Sequence, residues 1–212
     1  MFSVVFDMDG TLLDTQRICI PAWEYAGEKQ GIKNMGECIY DVCGMNEIGW
    51  SKYITDRFPS IDLTAFKENM RRYIIENSKV VFKSGAVELL GFLKANNIKI
   101  ALASGSSRAS IDHHLKEVQA TDYFDAIVGG HDVQNGKPAP DIFLLAAEKL
   151  GVAPESCFVF EDSANGIRAG HSAGMKCIGV PDIVPFSDDI KKLMLAELGS
   201  LSEAIELLKP YI

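Results

Sequence analysis

Carboxylates and small residues stand at the points where short apolar runs of this sequence end, and one lysine follows such a run some way along the chain. In chain order they are Asp7, Asp9, Ser104, Gly105, Ser106, Lys137, Glu161 and Asp162. Like charges a few Å apart raise one another's pKa, so four carboxylates that share a pocket need a compensating cation. Hard oxygen ligands select Mg²⁺ over zinc. These residue types therefore predict an Mg²⁺ site made by Asp7, Asp9, Glu161 and Asp162.

The small residues and the lysine have groups that could hold a phosphate beside such a metal. Ser104 has a hydroxyl, and the backbone N–H groups of Ser104, Gly105 and Ser106 precede a predicted helix, where phosphoryl oxygens bind well. Lys137 offers a positive charge that could neutralise both a nucleophile and a phosphoryl group in transfer. We therefore predict that these residues bind the phosphate of a substrate.

The two aspartates at the start of the chain have the spacing for covalent catalysis. With a metal and Lys137 on either side, the Asp7 carboxylate could attack phosphorus as the nucleophile. Asp9, two residues later, could protonate the leaving oxygen and then activate water. The predicted catalytic residues are therefore Asp7, Asp9 and Lys137.

These residues must be positioned by strands that alternate with helices. The predicted strands are Val4–Phe6, Ile98–Ala103, Ala126–Val128, Cys157–Phe160 and Lys176–Val180. The predicted helices are Ala86–Asn96, Ser110–Glu117, Asp141–Leu150, Ala164–Ala173 and Ser202–Leu208. Short apolar strands in alternation with helices indicate a parallel sheet with helices on both faces. Because ligands bind beyond the carboxyl ends of such strands, the candidate residues are expected to meet at one edge.

The segment 15–80 differs from the rest of the chain, because its apolar residues recur at helical spacing. We expect about four helices there, forming a cap inserted into the α/β body. The predicted domains are thus a catalytic core of residues 1–14 and 81–212 and a helical cap of residues 15–80. Thr15 is a candidate hinge between them. Trp23 and Trp50 are expected to pack inside the cap or line a substrate pocket, and His113 and His114 to lie exposed, without a role.

Composition excludes several classes of function. The chain has 212 residues, 47% of them hydrophobic, with 21 basic and 29 acidic residues and a net charge of −8. An acidic surface repels nucleic acid and anionic lipid, and no apolar run approaches the roughly 18 residues that span a bilayer. The chain begins without a basic leader, and its five cysteines form no metal-binding or redox motif. We expect a monomer in the cytoplasm with reduced thiols.

The motifs resemble those of a known superfamily. The segment Asp7-Met8-Asp9-Gly10-Thr11-Leu12-Leu13-Asp14 resembles the first motif of the haloacid-dehalogenase-like phosphohydrolases. Ser104, Lys137 and the pair Glu161-Asp162 fall where its second, third and fourth motifs are expected. The likeness is greatest to the β-phosphoglucomutase-like and phosphoglycolate-phosphatase-like members, through residues 102–106, 136–141 and 160–166. Each motif alone has an ordinary explanation as a turn or a helix cap, so the identification depends on their joint occurrence.

The resemblance implies a Rossmann-like α/β core, an inserted helical cap and a bound Mg²⁺ ion. By that resemblance, the ion is held by the Asp7 side chain, the Asp9 backbone carbonyl and Asp162, with Glu161 contributing directly or through water. The dehalogenases of the superfamily lack the second aspartate, so Asp9 favours phosphoryl over haloalkyl chemistry. The implied substrate is a small phosphorylated metabolite, such as a sugar phosphate.

Two departures from the mutase members favour hydrolysis. Those members carry a cap histidine after the first motif and a cap arginine that holds a second phosphate. Alignment on Trp23 puts Cys19 at the histidine position, and residues 44–48 contain no arginine. We therefore expect an Mg²⁺-dependent phosphatase. A sugar phosphomutase stays open, with a cap cation from Arg17, Lys52 or Arg57, and so does a non-catalytic phosphometabolite-binding protein.

Overall fold

A single six-stranded parallel sheet forms the centre of the body. The structure, a computed structural model, describes residues 2–77 and 79–212; Met1 and Ser78, which fall in the predicted ranges 1–14 and 15–80, lie outside the described residues. The strands are β1 (Ser3–Phe6), β2 (Ile100–Ala103), β3 (Ala126–Val128), β4 (Cys157–Glu161), β5 (Lys176–Gly179) and β6 (Ala196–Glu197). Their order is β3-β2-β1-β4-β5-β6, so β1 lies between β2 and β4.

Helices cover both faces of the sheet and form a separate group after β1. They are α1 (Gln16–Glu28), α2 (Cys38–Val42), α3 (Glu47–Arg57), α4 (Leu63–Asn77), α5 (Ala86–Ala95), α6 (Arg108–Glu117), α7 (Asp141–Leu150), α8 (Ala164–Ser172), α9 (Asp188–Lys191) and α10 (Ala204–Leu208). Side chains alternate along β1, so Val4 and Phe6 pack on the face that holds α5, whereas Val5 packs on the face that holds α7. None of the described helices is both long and apolar enough to cross a membrane.

Helices α1 to α4 pack on a hydrophobic core of their own. Trp23 of α1 lies at its centre, with ring-centroid distances of 5.3 Å to Trp50 of α3 and 5.4 Å to Phe66 of α4. This arrangement confirms the predicted fold class, an α/β sheet core with an inserted all-helical cap. The proposed domain boundaries, after residues 14 and 80, stay predictions.

The differences from the predicted elements lie at short segments and at element ends. The strand predicted from Ile98 begins at Ile100, because the Ile98 backbone N–H closes the end of α5 on the Leu93 carbonyl at 3.0 Å. Helix α6 begins at Arg108, where the Ser107 side chain accepts from the Ser110 N–H. The two-residue strand β6 and the four-residue helix α9 were not predicted, because such short segments show no periodicity.

Candidate active site

Three neighbouring strands bring the predicted site residues to one edge of the sheet. Asp7 follows β1, Ser104 follows β2, and Glu161 ends β4, directly before Asp162. Phe6 pairs in register with residues of both neighbouring strands, and the Asp7 N–H donates to the Phe160 carbonyl at 3.0 Å. The carboxyl ends of the strands therefore converge as parallel pairing requires. All the predicted site residues line one cavity except Ser104, which is fully buried behind it.

Lys137 lies between two buried carboxylates. Its Nζ donates to Asp7 Oδ1 at 2.6 Å, to Glu161 Oε1 at 2.5 Å and to the Ala103 carbonyl at 3.2 Å. Burial alone would lower the pKa of Lys137, but the facing charges of Asp7 and Glu161 raise that pKa above its ordinary value. The ammonium group is therefore charged and fixed beside Asp7.

Asp9 is held by hydroxyl groups from two elements. Its Oδ1 accepts from Thr15 Oγ1 at 2.8 Å, and its Oδ2 accepts from Ser104 Oγ at 3.1 Å and Ser106 Oγ at 2.8 Å. Gly10 follows with a φ of +88°. A Cβ at Gly10 would collide with the Asp162 carboxylate, so only glycine brings this turn so close to β4. Asp9 thus has a fixed orientation two residues from Asp7.

The Asp162 side chain and the Asp9 backbone carbonyl share one hydrogen-bond donor, the side chain of Gln16. The side-chain nitrogen of Gln16 donates to Asp162 Oδ2 at 2.5 Å and to the Asp9 carbonyl at 3.1 Å. Thr11 Oγ1 donates to the other carboxylate oxygen of Asp162 at 3.0 Å. Burial, with added repulsion from Glu161 and Asp7, raises the pKa of Asp162 well above its ordinary range. This part of the site attracts positive charge.

The donor set fits Mg²⁺. Four carboxylates share this region with one lysine, and burial raises the pKa of Asp7 as well, with Glu161 and Asp9 adding to the rise and Lys137 opposing it. A divalent cation would relieve this repulsion, and the carboxylates offer it hard oxygen ligands. Among residues 2–77 and 79–212, no three His, Cys, Asp or Glu side chains form a metal cage. The Mg²⁺ ligands that the resemblance implies, Asp7, Asp162 and the Asp9 carbonyl, stay a prediction.

The Glu161 carboxylate, which is predicted to contribute to the metal site directly or through water, contacts the protein through both oxygens. Its Oε1 accepts from Lys137, and its Oε2 accepts from the Ser163 N–H and hydroxyl, both at 2.9 Å. A Cβ at Gly166 would overlap this carboxylate, so glycine lets Glu161 lie against the start of α8. With both oxygens engaged, Glu161 positions Lys137.

Binding of Mg²⁺ should stabilise the folded protein. At 100 times its Kd, a ligand that binds only the folded state stabilises it by about 2.7 kcal/mol, which corresponds to a rise of roughly 5–10 °C in Tm for a domain of this size. The measurement is thermal unfolding in MgCl₂ against NaCl of equal ionic strength. The shift should vanish in Asp162→Asn and persist in Asp122→Asn, an exposed control. An equal shift in both variants would contradict this site.

The predicted phosphate-binding segment lies between β2 and α6. The Ser106 N–H donates to Ser104 Oγ at 3.0 Å, and the hydroxyls of both serines donate to Asp9. Gly105 and Ser106 line the cavity. In this arrangement the serine hydroxyls orient Asp9, so a phosphate in the cavity would meet the segment at Gly105 and Ser106.

The helical cap forms the opposite wall of the cavity, which has a volume of about 610 Å³. Lys67 and Arg71 of α4 line it, whereas the predicted cap cations Arg17, Lys52 and Arg57 do not. Arg17 instead pairs with Asp14 and Asp182, Lys52 with Asp56, and Arg57 with Asp41. The positions 67, 70, 71 and 74 lie on one face of α4, a spacing that was visible in the sequence.

Two histidines and two tryptophans whose surroundings were predicted from the sequence all line the cavity. His113 and His114 both line the cavity. His113 is exposed, as predicted, but His114 is half-buried, and burial lowers the pKa of its imidazole, so the prediction that His114 lies exposed was wrong. Trp23 and Trp50 both pack in the cap core and line the cavity, which combines the two alternatives.

Comparison with known proteins gives information that does not depend on the geometry of the site. The profile of the haloacid dehalogenase-like hydrolases matches residues 3–174. The chain is 33% identical over 214 residues to a phosphorylated carbohydrates phosphatase of Thermotoga maritima, covering 98% of this chain and 97% of that protein. It is 37% identical to a probable pseudouridine-5′-phosphatase of Drosophila melanogaster, covering 84% of this chain and 80% of that protein. The crystal structure of a β-phosphoglucomutase from Clostridium difficile superposes with a TM-score of 0.82 at 26% identity, covering 99% of this chain and 96% of that chain.

Proposed function

The chain belongs to the haloacid dehalogenase-like hydrolase family, and we propose that it is an Mg²⁺-dependent phosphatase that hydrolyses a small phosphomonoester through an aspartyl phosphate at Asp7. The observation that carries the proposal is the buried contact of 2.6 Å between Lys137 and Asp7, with Asp9 in the same cavity. A carboxylate fixed against a charged lysine, open to a cavity and followed by a second carboxylate, is suited to attack phosphorus.

In the first step an oxygen of Asp7 attacks the phosphorus atom. Lys137 engages Oδ1, which leaves Oδ2 free to form the new P–O bond. The bond from phosphorus to the ester oxygen breaks, and that oxygen takes the proton of Asp9. The alcohol leaves, and the product is an aspartyl phosphate at Asp7 with Asp9 ionised.

In the second step the ionised Asp9 takes a proton from a water molecule, whose oxygen attacks phosphorus. The bond between Asp7 and phosphorus breaks, inorganic phosphate leaves, and both aspartates return to their starting states. The three hydroxyls on Asp9 keep its carboxylate oriented through both steps.

Mg²⁺, held by Asp7, Asp162 and the Asp9 carbonyl, would neutralise charge on the phosphoryl oxygens as they react. Glu161 holds Lys137 in place, and Gln16 and Thr11 hold Asp162. Because Gln16 donates to the Asp9 carbonyl and to Asp162, which would hold the metal, its side chain would have to move when Mg²⁺ binds, whereas the Glu161 and Thr11 contacts could persist.

Three observations support hydrolysis of a phosphorylated carbohydrate over a mutase reaction. The Thermotoga and Drosophila relatives are named phosphatases of phosphorylated carbohydrates and of pseudouridine 5′-phosphate. Cys19 lines the cavity where the resemblance places a histidine in mutases, and Glu47, in the segment without the expected arginine, pairs with Lys67 at 2.8 Å. The proposed partner is thus a small phosphorylated metabolite; a monomeric state and a cytoplasmic location stay predictions.

Replacement of Asp9 by asparagine should lower kcat for an alkyl phosphate by about 10²–10⁴-fold, because the leaving oxygen loses its proton donor. An aryl phosphate has a leaving group that needs no proton, so its first step should be nearly unaffected. Stopped-flow measurement with p-nitrophenyl phosphate should therefore show one equivalent of nitrophenol released in a burst, followed by slow turnover. Equal slowing of both substrates without a burst would contradict the assignment of Asp9.

The proposed function is tested by phosphate release from a panel of phosphomonoesters, with Mg²⁺ and after its removal by EDTA. Release that requires Mg²⁺ is the expected result. Formation of a hexose 6-phosphate from a hexose 1-phosphate with a trace of bisphosphate, faster than phosphate release, would favour the mutase. No release from any compound would favour the non-catalytic binding protein.

A further inference from the structure

The two walls of the cavity above Asp7 differ in chemistry. The wall from the α/β body is polar and includes Ser110, His113 and His114 of α6. The wall from the helical cap is mainly apolar, with Ile18, Trp23, Trp50, Met70 and Ile74. The volume of about 610 Å³ lies in the range of about 300–1,000 Å³ that encloses drug-sized ligands. The cavity therefore has room for more than a phosphate and a small sugar. That room has the mainly apolar cap wall on one side and the polar wall of the body on the other.

The polar side chains of the cap wall are neutral, paired within the protein or exposed, so they leave the wall mainly apolar. Burial, helped by the charge of Asp9, raises the pKa of Cys19 to about 12, so its thiol is neutral. Lys67 pairs with Glu47 at 2.8 Å, and its Nζ lies 4.9 Å from the centre of the Trp50 ring. Its charge is thus compensated within the protein. Arg71 is exposed, so the described part of the cap encloses no free cation for a second phosphate.

A bare sugar phosphate would leave the apolar part of the cap wall uncovered. A sugar hydroxyl turned toward Ile18, Met70 or Ile74 would lose its water without gaining a hydrogen bond, which costs roughly tenfold or more in binding. A flat ring with apolar faces would instead bury surface against Trp50, Met70 and Ile74.

The opposite wall supplies groups for the polar edge of such a ring. The Nδ1 atom of His114 is buried and has no hydrogen-bond partner among the described residues. His114 also lines the cavity, and a neutral imidazole has one donor and one acceptor, so a rotation of this side chain would let it bond a ring nitrogen or carbonyl. The hydroxyl of Ser110 lies one helical turn earlier on the same face of α6.

Taking the proposed function as its basis, we infer that the leaving group is a sugar that carries a heteroaromatic ring, as in a nucleoside 5′-monophosphate. The phosphate lies at Asp7, the faces of the ring contact the apolar cap wall, and its polar edge meets α6. The residues that would determine this specificity are Trp50 and Ile74 on the cap and His114 on the body.

The test compares ribose 5-phosphate with uridine and adenosine 5′-monophosphate, which share the ester and differ in the base. We expect kcat/KM to be at least about tenfold higher for one nucleotide or both, as burial of one ring predicts. The variant Ile74→Asn should reduce this ratio to within about threefold. Trp50→Leu, which keeps an apolar side chain, should reduce the ratio in the same direction. Ile48→Asn is the matched control, because Ile48 is 72% exposed and lies outside the cavity lining.

A ratio near one in the wild type would overturn the inference and leave the proposed function intact. A high ratio that persists in both Ile74→Asn and Trp50→Leu would also overturn it. If neither these compounds nor p-nitrophenyl phosphate release phosphate, the proposed function itself is wrong, and the inference falls with it.

Discussion

Replacement of Asp7 by asparagine is expected to lower kcat by at least about 10⁴-fold while the protein stays folded. An amide has nearly the same shape as the carboxylate, but it cannot form the covalent bond to phosphorus. Lys137 keeps its contact of 2.5 Å with Glu161, so no buried charge is left unpaired. Because burial raises the pKa of Asp7, its ionised form costs stability in the absence of metal, and a neutral amide should not lower Tm.

The measurement is steady-state phosphate release together with thermal unfolding. The exposed variant Asp122→Asn is the matched control and should retain wild-type values of both. Residual activity of Asp7→Asn within tenfold of the wild type would show that another group attacks phosphorus.

Replacement of Lys137 by methionine should reduce both activity and stability. It leaves Asp7 and Glu161 as neighbouring buried carboxylates without their cation, and removal of one partner of a buried ion pair costs about 3–5 kcal/mol. The transition state also loses an adjacent positive charge, so kcat/KM should fall by at least about 10³-fold. Urea unfolding and phosphate release measure the two effects, with exposed Lys116→Met as the control.

A double-mutant cycle separates the ion pair from general packing. In the Asp7→Asn background, Lys137→Met should cost less free energy of unfolding than in the wild type, because one of the two carboxylates no longer carries charge. Additive costs would mean that the methionine acts through packing alone and that the ion pair contributes nothing to stability.

The strand ends could be predicted from the sequence because apolar runs and the residues after them are local features. Asp7, Ser104 and Asp162 each follow a strand of the sheet, and parallel pairing then brings them to one edge. The direction in which each side chain points could not be predicted in the same way. Glu161 and Asp162 are adjacent, yet one faces Lys137 and the other faces Gln16 and Thr11.

Contacts between the cap and the body were harder to predict, because they depend on how two separately packed units meet. Gln16 contacts Asp162 across 146 positions of sequence, and nothing in its local pattern indicates this. The stripe of Lys67, Met70, Arg71 and Ile74 could have been found from its helical spacing, but not the fact that it faces Asp7. His114 likewise needed the packing of α6 against the cavity.

The most direct test of the proposed mechanism is to trap the phosphorylated enzyme. Asp9→Asn would be mixed with p-nitrophenyl phosphate, quenched in acid and treated with borohydride, which reduces an aspartyl phosphate to homoserine. Mass spectrometry of the peptides then locates the reduced residue. Homoserine at position 7 is the predicted result; no homoserine, or homoserine at another aspartate, would contradict attack by Asp7.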